Sequence, residues 1–185
     1  MRMQRQILFV QGAGEGTHDE WDNKLVASLR DELGQGYEIH YPRMPDEDAP
    51  SYGVWKTALE EIFATLDDGA ILVGHSVGGT ILLRVLTEQP PMLRPGAIFL
   101  IAAPFIGDGG WPADDLQFPA DLGARVPQGV PVYFYHGLKD ETAPPLHVEL
   151  YARAIPQARI HRLPGRDHQL NDSLKEVAAA ILALN

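Results

Sequence analysis

The sequence has 185 residues, and its content of 45% hydrophobic and 22% charged residues is typical of a folded globular chain rather than a disordered one. At about 150 residues per domain, this length predicts a single domain over residues 1–185. The formal net charge of −10 disfavours nucleic acids and anionic membranes as partners, and the absence of cysteine excludes disulfide scaffolds, thiolate metal ligands and a cysteine nucleophile.

Short apolar runs rich in β-branched residues recur along the chain and predict six strands. In chain order they are Ile7–Val10, Tyr37–Tyr41, Ala70–Val73, Ala97–Ala102, Val132–Tyr135 and Arg159–Leu163. Most of these runs are continuous rather than alternating, which is typical of strands that are buried on both faces.

Apolar residues at helical spacing lie between the predicted strands. The five stripes are Trp21, Leu25, Leu29 and Leu33; Trp55, Leu59, Ile62, Phe63 and Leu66; Val77, Ile81, Leu82 and Val85; Leu146, Leu150 and Tyr151; and Leu174, Val177, Ala178, Ile181 and Leu182. Thr17 and Glu20 have capping-box spacing at the start of the first helix. Gly69 is placed to end the second helix, and Pro90 and Pro91 to end the third.

The alternation of predicted strands and helices along the chain predicts a three-layer, doubly wound α/β fold with a parallel sheet.

One segment, Ala103–Gly129, breaks the alternation with four prolines and several glycines. It predicts a long loop with room for one short helix. Loops of this length in compact domains are usually functional or disordered, and the apolar residues Phe105, Trp111 and Phe118 argue against disorder.

The strongest local motif is Gly74-His75-Ser76-Val77-Gly78, which fits the G-x-S-x-G pattern of a nucleophile elbow. A strand is predicted before it and a helix after it, as that motif requires. Glycines at both ends permit the tight turn that raises Ser76 above the sheet, and the helix start offers N–H groups to a developing oxyanion. An incidental glycine-rich turn is the alternative interpretation.

A serine nucleophile needs a base, and His168 is the best placed of the seven histidines. It follows the last predicted strand, at the sheet edge where ligands bind in open α/β folds. Asp140 follows the preceding strand and is expected to accept the Nδ1–H of His168 and fix its tautomer. The alternative acids are Glu141, Asp167 and Asp172. Asp167 is disfavoured because neighbouring side chains in a turn seldom point together.

The oxyanion donors are expected to be the backbone N–H groups of Ala13 and Val77. Ala13 lies in the glycine-rich loop after the first strand. The glycines Gly12, Gly14 and Gly16 in that loop also resemble a dinucleotide-binding turn faintly. Their spacing is not G-x-G-x-x-G, and no acid for a ribose hydroxyl follows the second strand. No cofactor and no metal are therefore expected.

The elbow Gly74–Gly78 followed by Asp140 and His168 resembles the α/β-hydrolase superfamily. The chain is similar, over nearly its whole length, to the small single-domain serine hydrolases of the retinoblastoma-binding-protein type. This resemblance implies a Ser-His-Asp triad and a minimal fold without a cap domain, with six parallel strands in the order 2-1-3-4-5-6. Gln11 departs from the pattern, since many relatives have histidine before the oxyanion glycine. Members of the superfamily act on esters, thioesters and amides, so the substrate class stays open.

These residues predict a serine hydrolase, best described as a carboxylesterase that cleaves a small acyl ester through an acyl-enzyme. Ser76 is the expected nucleophile, His168 the base and Asp140 the orienting acid. The alternative is a catalytically silent hydrolase fold that binds protein partners or small ligands. The presence of all three residue types of the triad argues against it.

Trp111, Phe105 and Met44 are the candidate substrate-binding residues. For Trp21 and Trp55, which lie on helical stripes, packing in the core is the favoured interpretation. The longest N-terminal apolar run, Ile7–Val10, is too short for a signal peptide or a membrane span. The expected protein is therefore soluble and cytoplasmic, with a small-molecule acyl substrate and no nucleic-acid or membrane partner.

Overall fold

The computed structural model describes residues 4–88 and 93–184, which form one parallel six-stranded sheet with helices on its faces. The strands are β1 (Arg5–Val10), β2 (Tyr37–His40), β3 (Ile71–His75), β4 (Ala97–Ile101), β5 (Val132–Gly137) and β6 (Arg159–Leu163). Their order is β2-β1-β3-β4-β5-β6, and every neighbouring pair is parallel. This confirms the predicted α/β architecture and the strand order implied by the family resemblance.

Five α-helices correspond to the predicted stripes, and a short one lies in the long segment between β4 and β5. They are α1 (Asp22–Leu33), α2 (Tyr52–Phe63), α3 (Ser76–Glu88), α4 (Leu122–Arg125), α5 (Leu146–Ala154) and α6 (Lys175–Leu182). Within residues 4–88 and 93–184, no helix combines the length and hydropathy needed to cross a bilayer.

The sheet separates two apolar layers because successive side chains of a strand point to opposite faces. In β1, Leu8 and Val10 join the layer under α2, α3 and α5, whereas Ile7 and Phe9 join the layer under α1 and α6. All four side chains are fully buried. Trp55 is also fully buried in the first layer, and its Nε1–H donates to the carbonyl of Pro45 at 2.6 Å. Core packing of Trp55 is thus confirmed.

The start of α1 differs from the prediction. Thr17–Trp21 form a π-helical turn, and no side chain caps either this turn or α1. The Glu47 carboxylate instead accepts the N–H groups of Gly16 and His18, both at 3.1 Å, so a capping box is unnecessary. Trp21 lies in the π-turn, out of phase with the apolar stripe of α1, and is 48% exposed. Core packing was the wrong interpretation for Trp21.

The end of α2 also differs from the prediction. The helix stops at Phe63, and Ala64 caps it. Gly69, with φ of +91°, makes the later turn into β3 rather than ending the helix. Pro90 and Pro91, predicted to end α3, lie outside the described residues.

The long segment after β4 is packed against the body of the protein. Thr80 and Tyr151 both donate a hydroxyl hydrogen bond to the carbonyl of Pro104, each at 2.7 Å. Phe105 packs against Phe118 and Tyr151 in an aromatic cluster, with ring centroids 5.6 and 5.1 Å away. These contacts hold the segment over the C-terminal edge of the sheet, next to the start of α3.

Candidate active site

Ser76 lies at a sharp turn between β3 and α3, with a φ of +52° that side-chain-bearing residues rarely adopt. A Cβ atom at Gly78 would lie 1.8 Å from the carbonyl oxygen of Gln11, and one at Gly74 would lie 2.5 Å from the Cα of Gly79. The turn can therefore form only with glycine at these positions. The geometry is that of the predicted nucleophile elbow.

The three residues predicted as a triad meet above the sheet. His168 Nε2 lies 3.0 Å from Ser76 Oγ, and His168 Nδ1 lies 2.8 Å from Asp140 Oδ2. Because Asp140 can only accept there, Nδ1 carries the proton and Nε2 is free to accept the Ser76 hydroxyl. Ser76 and Asp140 are 8% and 3% exposed, so solvent reaches the cluster mainly at the serine and histidine.

The Asp140 carboxylate is held by the turn that follows β5. Its Oδ1 accepts the N–H groups of Thr142 and Ala143, at 2.9 and 2.8 Å. Burial raises the pKa of Asp140, but the hydrogen bond and charge of His168 and the Ala143 N–H outweigh burial and bring the pKa below its ordinary value. Asp140 is therefore ionised and fixed in orientation while it faces His168.

The alternative acids point elsewhere. Asp167 Oδ1 accepts the N–H of Asn171 at 2.8 Å, and the Asn171 side chain accepts the N–H of Asp167 at 3.0 Å. Asp172 lies near Lys24, with 3.9 Å between the charged atoms, and Glu141 is exposed. Of the four carboxylates considered from the sequence, Asp140 is the one in contact with His168.

The loop after β1 passes close to Ser76. A Cβ atom at Gly12 would lie 3.2 Å from Ser76 Cβ, and the Gly12 N–H already donates to Asp22 Oδ2 at 2.8 Å. The next N–H in this loop is that of Ala13, and the N–H of Val77 lies at the first turn of α3. The arrangement leaves Ala13 and Val77 as candidate oxyanion donors.

Gln11, the residue that departs from the family pattern, braces this loop. Its side chain is fully buried, its Oε1 accepts the N–H of Met44 at 2.8 Å, and its Nε2 donates to Glu47 Oε2 at 2.7 Å. The carbonyl of Glu47 accepts the N–H of Gly14 at 2.7 Å. The glutamine thus links the loop after β1 to the segment after β2.

An apolar cavity of about 200 Å³ lies between α3 and the long segment. Its walls are Pro50, Tyr52, Val77, Ile81, Ile106, Trp111, Pro112, Ala113, Asp115 and Leu116. Trp111, a candidate substrate-binding residue, thus lines the same cavity as Val77, the residue that follows Ser76. Phe105 belongs instead to the aromatic cluster, and Met44 is 1% exposed in the apolar layer of the core.

Two further histidines lie close to the triad and were not predicted to contribute. His136 donates its Nε2–H to the carbonyl of Ala143 at 2.7 Å and lies 3.4 Å from Asp140 Oδ2. His147 Nδ1 accepts the N–H of Phe105 at 2.7 Å. Burial lowers the pKa of both rings, which keeps them neutral.

Sequence reasoning also missed a buried pair beneath the elbow. His75 Nδ1 lies 2.9 Å from Asp22 Oδ1, and both side chains are almost completely buried. His75 was visible in the motif, but nothing in the helical pattern of α1 marks Asp22 as buried. Only the tertiary contact between the start of α1 and β3 brings the two together.

A sequence profile described as the Alpha/beta hydrolase family matches residues 7–136, and the chain belongs to that family. The matched range contains the elbow and ends before Asp140 and His168. No curated protein matches the chain by sequence.

Several solved structures share the fold. The product of the ydeN gene of B. subtilis is 21% identical, with a TM-score of 0.72 and coverage of 98% of both chains. XC6422 from Xanthomonas campestris, an α/β serine hydrolase without a lid, is 20% identical, with a TM-score of 0.63 over 96% of this chain and 79% of its own. Est1E from Butyrivibrio proteoclasticus is 15% identical, with a TM-score of 0.67 over 98% and 86%.

Proposed function

We propose that this hydrolase is a serine carboxylesterase that acts on small acyl esters. The observation that carries the proposal is the hydrogen-bonded series Ser76–His168–Asp140, with 3.0 Å from Oγ to Nε2 and 2.8 Å from Nδ1 to Oδ2. A nucleophile, a base in contact with it and an ionised acid that orients the base form the constellation required for acyl transfer.

In the proposed reaction, His168 Nε2 takes the hydroxyl proton while Ser76 Oγ forms a bond to the ester carbonyl carbon. The N–H groups of Ala13 and Val77 stabilise the negative oxygen of the tetrahedral intermediate. When the carbon–oxygen bond to the alcohol breaks, His168 returns the proton to the departing oxygen. A water molecule then attacks the acyl-enzyme as His168 takes its proton. When the bond between the acyl carbon and Ser76 Oγ breaks, His168 gives that proton to Oγ, which releases the acid and restores the Ser76 hydroxyl.

The cavity beside Val77 supports a small apolar acyl group. Its volume of about 200 Å³ lies below the range of about 300–1,000 Å³ that is usual for pockets that enclose drug-sized ligands. Trp111 and Ile81 offer apolar walls, whereas Asp115 disfavours an anionic chain end. Esters with short acyl chains are therefore expected to be better substrates than long-chain esters.

The decisive experiment is labelling with a fluorophosphonate probe, followed by identification of the labelled peptide. We expect labelling at Ser76 in the wild-type protein, none in Ser76→Ala, and hydrolysis of p-nitrophenyl acetate and butyrate that depends on Ser76. Ser51→Ala, at an exposed position before α2, is the matched control and should retain both. A folded wild-type protein that is neither labelled nor active would favour the silent binding module.

Chain length is tested in the same assay. A series of p-nitrophenyl esters from acetate to decanoate should reach its highest kcat/KM at the short end. Trp111→Ala, which enlarges the cavity, should move that maximum to longer chains. An unchanged profile in a folded Trp111→Ala protein would assign the acyl group to another surface.

A further inference from the structure

The proposed mechanism does not use a buried ion pair that lies directly beneath the nucleophile elbow. Asp22, the first residue of α1, is 0% exposed, and His75, the last residue of β3, is 1% exposed. His75 Nδ1 lies 2.9 Å from Asp22 Oδ1 and 3.0 Å from Oδ2. The removal of two charged groups from water has a high cost in free energy, which their mutual contacts only offset. The presence of this buried pair therefore requires a reason.

Both ring nitrogens of His75 face acceptors. Nδ1 faces the Asp22 carboxylate, and Nε2 lies 3.1 Å from the backbone carbonyl oxygen of His168. Neither partner can donate a hydrogen, so the ring satisfies both contacts only when it carries two protons. Burial lowers the pKa of His75, but the charge and hydrogen bond of Asp22 and the His168 carbonyl outweigh it and raise the pKa above its ordinary value. The two acceptors and the raised pKa therefore both favour a ring that is protonated at Nδ1 and Nε2.

The pair connects the loops that carry the rest of the site. Asp22 Oδ2 accepts the Gly12 N–H at 2.8 Å, which fixes the loop that offers Ala13 to the oxyanion. Asp22 Oδ1 accepts a longer contact of 3.4 Å from Gln169 Nε2, and His75 holds the carbonyl of His168 itself. Both contacts reach the loop of the base. The elbow, the oxyanion loop and the base loop thus share one buried anchor.

We propose that Asp22 and His75 are positioning residues that hold His168 and the Gly12–Ala13 backbone in register with Ser76. The inference rests on the proposed serine hydrolase function. The anchor acts on the main chain of His168, while Asp140 acts on its ring, so two independent contacts fix the base. A displacement of about 1 Å in such a constellation can lower turnover by about 10²-fold, which makes the second contact consequential.

Two substitutions of His75 separate its two hydrogen bonds. The amide nitrogen of asparagine can occupy the position of Nδ1, so His75→Asn keeps a donor for Asp22 and loses the donor for the His168 carbonyl. The longer glutamine places its amide nitrogen near the position of Nε2. His75→Gln therefore keeps the donor for the carbonyl and leaves Asp22 without its main partner.

The proposal predicts opposite orders for activity and stability. His75→Asn should be the more stable variant but should lose kcat by about 10²-fold with KM nearly unchanged, because the base is no longer held. His75→Gln should be the less stable variant, because an underpaired carboxylate is buried, yet should retain more of kcat. His40→Asn, on the edge strand β2, is the control for the substitution itself. The proposal is wrong if the more stable of the two variants also has the higher kcat, or if His75→Asn keeps the wild-type kcat.

The protonation of His75 tests the same proposal without any variant in the anchor. Long-range ¹⁵N–¹H correlation spectra of the wild-type protein at about pH 7, above the ordinary histidine pKa of about 6.5, should show a proton on His75 Nε2, which faces the His168 carbonyl, and one on Nδ1, which faces Asp22. His40→Asn and His18→Asn spectra remove other histidine signals and support the assignment. A His75 ring without a proton on Nε2 at pH 7 would leave the His168 carbonyl without its donor and would overturn the proposal, even if both His75 variants failed to fold.

The two proposals fail in different ways. If Ser76→Ala keeps its activity, the serine hydrolase function is wrong, whatever His75 does. If Ser76→Ala is inactive and His75→Asn turns over normally, only the positioning role is wrong.

Discussion

At the scale of single residues, orientation distinguishes the carboxylates around His168. Asp140 points at Nδ1, and its second oxygen is fixed by two backbone N–H groups. Asp167 is the immediate neighbour of the histidine, yet its side chain closes a turn with Asn171. Adjacency in sequence is therefore a poor guide to contact in this loop, whereas the ends of neighbouring parallel strands are a good one.

This difference predicts the outcome of two matched substitutions. Asp140→Asn should lower kcat by a factor of about 10⁴, because the amide favours the wrong tautomer of His168. Asp167→Asn should lower kcat by less than about tenfold, which corresponds to under about 1.4 kcal/mol in the barrier. Steady-state kinetics at one pH, with folding checked by circular dichroism, measures both. Inactive Asp167→Asn beside nearly normal Asp140→Asn would reverse the assignment.

At the scale of elements, the elbow depends on the close approach of α3 to the loop after β1. The space at Gly78 is already filled by the backbone of Gln11, only 1.8 Å from where a Cβ atom would lie. A side chain there must push α3 away from β1 or displace the loop after β1. The same contact thus links local packing to the proposed site around Ser76.

Gly78→Ala should therefore lose stability and activity together. A single methyl group that clashes with backbone cannot be relieved by a rotamer change, and overpacking typically costs about 1–3 kcal/mol. Urea denaturation and ester turnover measure the two effects. Gly53→Ala, where a Cβ atom would meet nothing within 4 Å, is the control and should be neutral or slightly stabilising. A stable and active Gly78→Ala protein would contradict the elbow geometry.

The docking of the long segment on α5 depends on a neutral histidine. His147 Nδ1 accepts the Phe105 N–H, and burial lowers the pKa of this ring. The unfolded chain binds a proton near pH 6.5, about the ordinary value, and the folded chain resists it. The stabilising contribution of His147 is therefore complete above that pH and is lost as the pH falls toward the lowered pKa.

His147→Asn, which keeps an acceptor near the position of Nδ1, should reduce the loss of stability between about pH 7 and pH 5, on either side of the ordinary histidine pKa. His147→Ala, which removes the acceptor, should be destabilised at every pH. Chemical denaturation at several pH values measures these slopes. A wild-type slope that is unchanged in His147→Asn would show that the His147 ring does not control this dependence.

At the scale of the whole molecule, much of the fold could be predicted from the sequence because the central strands β3 and β4 and most of β1 and β5 are continuous apolar runs and the helices have clear stripes. The contact between Ser76, His168 and Asp140 was also predicted, since each of these residues comes just after a strand of one parallel sheet. The buried Asp22–His75 pair could not be predicted from the sequence. A carboxylate at the start of a helix is normally solvated, and the π-turn that buries Asp22 and exposes Trp21 has no local pattern.

The excess of acidic residues predicts an effect of salt on the whole molecule. Fifteen basic and twenty-five acidic residues give a net charge of −10. The repulsion between the excess negative charges is stronger in the compact folded state than in the unfolded chain. Raising NaCl from about 0.01 to 0.15 M shortens the Debye length from about 30 to 8 Å and should raise Tm. An equal osmolality of a neutral solute is the control. A Tm that falls with NaCl would mean that screened ion pairs outweigh the repulsion.

The order of the strands also bears on when the site comes into being during synthesis. Among the residues that the structure describes, β6 is an edge strand whose one partner is β5, and the loop that carries His168 follows it. A ribosome adds β1, β3 and β4, with the Ser76 turn between β3 and α3, well before the loop of His168 emerges. Until β6 is added, the β5 edge of a nascent chain lacks β6 as its partner, and an open strand edge is a site where other chains can pair.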